Sequence, residues 1–77
     1  MTLNQLATKL HDMYSNAPAG EKVTMIHLFG IIHHHQIKEF SVQEVIEQSS
    51  IRASYATELS KAVKLAKYVK AKTTDAL

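Results

Sequence analysis

Apolar side chains recur in this chain at steps of three and four residues along most of its length, and no convincing run alternates them with polar ones. Steps of three and four keep side chains on one face of a helix, whereas a half-buried strand needs a period of two, so the pattern confines the chain to all-α folds. With 77 residues and no cysteine, an apolar core alone must hold those helices, because neither a disulfide nor a thiolate metal site can staple them. A hydrophobic share of 45% is enough to supply that core.

Breaks in the pattern divide the chain into four expected helices. The first, Leu3 to Tyr14, buries Leu3, Leu6, Ala7, Leu10, Met13 and Tyr14 behind a Thr2 cap, and residues 15–20 end it through Pro18 and Gly20. The second runs from Glu21 to about Gln36. Its apolar residues cover nearly the whole circumference, which makes it either central or shared with a second subunit, and Gly30 admits a close neighbour. The third starts at Ser41, where a capping box with Glu44 and a staple from Phe40 to Val45 fix the first turn. The fourth starts from a Ser54 cap and continues to about Lys72, with Tyr55, Leu59, Ala62, Val63, Ala66 and Val69 inward. Residues 1–72 are thus expected to form one helical domain, and residues 73–77 a frayed tail.

Charge is divided unevenly along this framework. Residues 52–72 hold Arg52 and five lysines against Glu58 alone, a balance of +5, while residues 1–51 come to −2. A field of that shape attracts a polyanion, a property hidden by the net charge of +2. Nucleic acid is the first candidate partner.

The segment from Ser41 to Ala62 resembles the helix-turn-helix unit of small prokaryotic DNA-binding domains. Val45 and Ile46 stand inside its first helix, Ser50 at the small turn position, Ile51 just after it, and Ala56 and Leu59 on the inner face of the second. Two positions depart from the pattern: Ser50 where glycine is frequent, and Ser49 where many members have an apolar residue. The resemblance implies a compact four-helix bundle with a recognition helix starting near Ser54 and, with no β-ribbon following it, no wing. It also implies a DNA-binding set of Arg52, Ser54, Thr57, Glu58, Lys61, Lys64, Lys67 and Lys70. In that set Ser54, Thr57, Glu58 and Lys61 face the bases, Arg52 lies near the backbone, and Lys64, Lys67 and Lys70 face phosphates. The corresponding function is that of a transcriptional regulator or accessory factor, working as a homodimer on two half-sites. The competing reading is a protein-interaction module on the same scaffold.

Other chemistries find little support. His33, His34 and His35 are consecutive, so in a regular helix they point about 100° apart and cannot share one metal; they read as an exposed helix end. There is no nucleophile motif or glycine-rich phosphate loop, so no enzyme activity, cofactor, metal or small-molecule substrate is expected. The longest apolar run, Val23 to Ile32, is shorter than the roughly 20 residues that span a bilayer, and no secretory signal is visible. A cytoplasmic location is the expectation.

Overall fold

A computed structural model of the chain describes residues 1–72, and every regular element among them is helical. In chain order these are α1 (Leu3–Ser15), α2 (Lys22–Ile32), α3 (His34–Lys38), α4 (Val42–Ser49) and α5 (Tyr55–Leu65). The all-α bundle expected from the sequence is present, built from five helices instead of four. The tail expected at residues 73–77 lies outside the described residues.

Thr2 caps α1 more completely than expected. Its hydroxyl accepts from the Gln5 amide at 3.1 Å while the Gln5 side chain accepts from the Thr2 amide at 2.9 Å, a reciprocal capping box. Leu6, Ala7, Leu10 and Met13 are the buried stripe of this helix. Gly20, at φ +79°, turns the chain into α2. There Lys22 donates to the Tyr14 carbonyl at 3.1 Å and lies 4.5 Å above the Tyr14 ring, closing the loop.

The expected second helix is interrupted at His33. This residue leaves helical geometry (φ −107°, ψ 22°), is only 8% exposed, and has its ring 4.9 Å from that of Phe29. His33 is therefore a core side chain, contrary to the exposed helix end expected for the histidine run. His34 is half-buried and donates through Nδ1 to the Ile31 carbonyl at 3.0 Å, while His35 is exposed. The bond to Ile31 serves a carbonyl next to the break, one of the groups that a helix end leaves without an intrahelical partner.

α2 packs most extensively on α5, and α1 packs on both α4 and α2. Gly30 makes the α2–α5 contact possible: a Cβ on it would sit 2.6 Å from the Ala62 Cβ and 3.1 Å from Leu59 Cδ1. The core comprises Leu6, Leu10, Ile26, Phe29, Ile37, Val45, Ile46 and Leu59, with Met13 and Val63 at its margin. Tyr55 packs against this core as expected. Its ring centroid is 5.4 Å from that of Tyr14, and the two hydroxyls share a hydrogen bond at 3.4 Å. That bond, together with partial burial, holds the Tyr55 phenol above its ordinary pKa.

The fourth expected helix is shorter than its apolar pattern implied. α5 ends at Leu65, Val69 is 41% exposed, and Lys67 and Lys70 lie beyond the helix. Two forces oppose extension to Lys72. α2, on which α5 packs, is itself only eleven residues long, and a short helix depends on tertiary packing for its stability. Continuation would also stack Lys64, Lys67 and Lys70 at successive i,i+3 positions, where like charges repel.

Candidate nucleic-acid interface

The pair α4–α5 is the part of the fold that could present a helix to a groove, and its geometry begins with α4. Ser41 Oγ accepts from the Glu44 amide at 3.1 Å, which makes the first half of the expected capping box. Partly buried Phe40 packs against the core cluster that contains Val45. At the far end, Ser50 occupies the left-handed region at φ 65°, the conformation that makes glycine favourable at such a turn. Ser49 is buried where an apolar residue is common, and it accommodates its hydroxyl by donating to the Ile46 carbonyl at 2.7 Å. The Ser49 carbonyl in turn accepts from His11 Nδ1 at 2.9 Å, tying the end of α4 to α1.

Ser54 occupies the cap position of α5 but does not act as its side-chain cap. It has αR geometry and its hydroxyl makes no capping bond. The Tyr55 and Ala56 amides bond instead to the Arg52 and Ala53 carbonyls at 3.0 and 3.1 Å, so a tight turn satisfies donors that the hydroxyl would otherwise serve.

Along the outside of the pair runs an open groove of about 440 Å³, lined by Val42, Gln43, Ala56, Thr57, Ser60, Lys61 and Lys64. Of the residues expected to contact DNA, Thr57, Lys61 and Lys64 come together here. Arg52 and Ser54 are exposed in the turn just ahead of α5. Lys67 is exposed past the helix end, and Lys70 lines a different groove, against Ile31, Ile32, His34 and His35, that shares no residue with the first.

Glu58 is engaged from within the fold. Its Oε1 accepts from His27 Nε2 at 2.8 Å, and its Oε2 lies 3.7 Å from Lys61 Nζ. The hydrogen bond from His27, followed by the charge of Lys61, holds the carboxyl below its usual pKa range. The hydrogen bond from His27 ties the first turn of α5 to α2.

Gln43 and Ser60 are the groove residues that sequence reasoning missed. Ser60 had a usable signal: positions 57, 60, 61 and 64 form one helical face by the steps of three and four that also mark buried stripes. Gln43 had none, because only the packing of α4 beside α5 brings it to this surface.

A family model described as an HTH-like domain matches residues 2–72. The chain belongs to the HTH-like domain family. The match extends well beyond the Ser41–Ala62 segment that carried the sequence resemblance, taking in α1, α2 and α3 as well. No curated protein and no solved structure matches the chain. Among the described residues of this HTH-like domain, no helix is long and apolar enough to cross a membrane, and no three His, Cys, Asp or Glu side chains are grouped to hold a metal ion.

Proposed function

We propose that this HTH-like domain binds duplex DNA through the α4–α5 face, in the service of gene regulation. The observation that carries the reading is the grouping of Gln43, Thr57, Ser60, Lys61 and Lys64 in one open groove beside a helix pair. The combination suits a nucleic-acid surface. An amide can bond the adenine edge bidentately, hydroxyls can bond base edges or phosphates, and ammonium groups supply the charge attraction to the backbone. Arg52 and Ser54, in the turn ahead of α5, extend the same surface toward the phosphates. Glu58 serves in this reading as the α5 anchor, leaving direct base contact to its neighbours.

A single recognition helix spans only a few base pairs, which favours a symmetric dimer. Half-sites one helical turn apart separate two such helices by about 34 Å. The longest Cα extent is 28 Å, short of that separation, so each copy would serve one half-site.

Fluorescence anisotropy with a mixed-sequence duplex at low salt tests the assignment. The expected result is clear binding, a loss of about tenfold or more in affinity for Lys61→Ala and for Lys64→Ala, and little change for Lys70→Ala. Equal losses for all three would remove the α4–α5 groove as the interface, and absence of binding would remove DNA as the ligand.

A further inference from the structure

The second groove, of about 530 Å³, lies between the α2–α3 junction and the segment that follows α5. Ile31, Ile32 and Val69 give it an apolar lining, with His34, His35 and Lys70 contributing polar and charged groups. Three large apolar residues stand exposed at this end of the chain: Leu65 at 46%, Tyr68 at 82% and Val69 at 41%. Of these, Val69 shares the groove wall with Ile31 and Ile32, and such a cluster bordered by polar groups marks an interaction surface, since isolated surface hydrophobics are ordinary and clustered ones are not.

Charge narrows the identity of the occupant. Neither Lys22–Lys38 nor the stretch from residue 59 to 72 contains an aspartate or glutamate, while Lys67, Lys70 and Lys72 are all exposed. A second copy docked by a two-fold axis would bring these lysines against their own equivalents, which is unfavourable. Phosphates would satisfy the lysines but leave Ile31, Ile32 and Val69 covered by a strongly hydrated backbone with no apolar contact in return. A segment carrying both apolar side chains and carboxylates satisfies both kinds of wall.

From this complementarity we infer that the groove is a docking site for an acidic, apolar-faced segment of another protein. Leucine-like side chains of that segment rest on Ile31, Ile32 and Val69, and its carboxylates pair with Lys70 and with the flanking Lys67 and Lys72. The surface is separate from the α4–α5 groove, so the domain can hold a protein partner while α5 remains free.

Methyl-resolved NMR titration of the full chain tests this with three synthetic peptides: one of leucines and glutamates in helical register, one with lysines replacing the glutamates, and one with serines replacing the leucines. The expected result is movement of the Ile31, Ile32 and Val69 methyl signals with the first peptide, and binding weaker by about tenfold or more for the other two. Val69→Ser and Lys70→Glu should each weaken the first peptide by a similar factor with the helical circular dichroism unchanged. Val69→Ser should also leave duplex DNA binding as it was. The proposal is overturned by equal binding of the lysine peptide, by shifts that map elsewhere, or by no binding at about 1 mM peptide. It is likewise overturned if duplex DNA moves these methyl signals, or if light scattering finds a dimer that Val69→Ser dissociates, since either result gives the groove a different occupant.

Discussion

Substituting alanine for Gly30 pits helix propensity against packing, and the structure says which effect wins. In an isolated helix the change would stabilise by about 1 kcal/mol. Here the new Cβ would meet the Ala62 Cβ at 2.6 Å, about 1 Å inside the ordinary carbon–carbon separation of roughly 3.5–4.0 Å. The Ala62 Cβ is fixed to the α5 backbone and has no rotamer through which to withdraw, so α2 and α5 must move apart along their most extensive contact. Overpacking of this kind costs about 3 kcal/mol at its upper end, leaving a net loss of about 2 kcal/mol after the propensity gain. For a domain of this size that lowers Tm by about 8–16 °C, measurable by circular dichroism. Ala62→Gly alone should cost about 1 kcal/mol, but in the Gly30→Ala background it should restore stability nearly to that of the parent. The double-mutant cycle would then give a coupling energy of about 3 kcal/mol. A Gly30→Ala variant more stable than the parent, or additive losses in the double variant, would refute the close-approach argument.

Ser50→Gly should stabilise the domain by about 0.5–1 kcal/mol in urea unfolding, since it relieves left-handed strain at φ 65° and gives back part of the gain through a more flexible unfolded chain. Thr2→Ala removes the α1 capping box and should lower stability by about 1 kcal/mol, seen as a Tm drop of about 4–8 °C. Glu58 titrates below its ordinary value when folded, so its contribution is complete above the unfolded-state pKa and disappears as pH falls through the lower folded one. Urea unfolding across acid pH should show this loss, and Glu58→Gln should flatten that part of the profile; an unchanged profile would mean that the His27–Glu58 pair does not support the fold.

The parts of the fold legible in the sequence were those written in local chemistry. The Thr2 and Ser41 caps, the break at Pro18–Gly20 and the turn at Ser50 each depend on residues within a few positions of one another, and the fold has each of them. Gly30 was also readable, because a glycine amid an apolar helix needs a packing reason. The interruption at His33 was not. It carries no proline or glycine signal, and it coincides with a ring packed 4.9 Å from that of Phe29 in the interior. The end of α5 at Leu65 was hidden for a similar reason, since the apolar spacing continues to Val69 while the length of α2, a distant element, limits the packing. At the candidate interface, Thr57, Lys61 and Lys64 followed from helical spacing. The diversion of Glu58 to His27, 31 positions away, could be read only from the fold, as could the arrival of Gln43 beside α5 and the departure of Lys70 to another groove.

The salt dependence of duplex DNA binding is the most direct test of the proposed role of the α4–α5 face. Three phosphate contacts per copy, from Arg52, Lys61 and Lys64, predict a slope of about −3 per bound copy when log affinity is plotted against log salt concentration, and a slope per copy shallower by about 2 for the Lys61→Ala, Lys64→Ala double variant. A slope near zero, or one that the double variant leaves unchanged, would contradict the account.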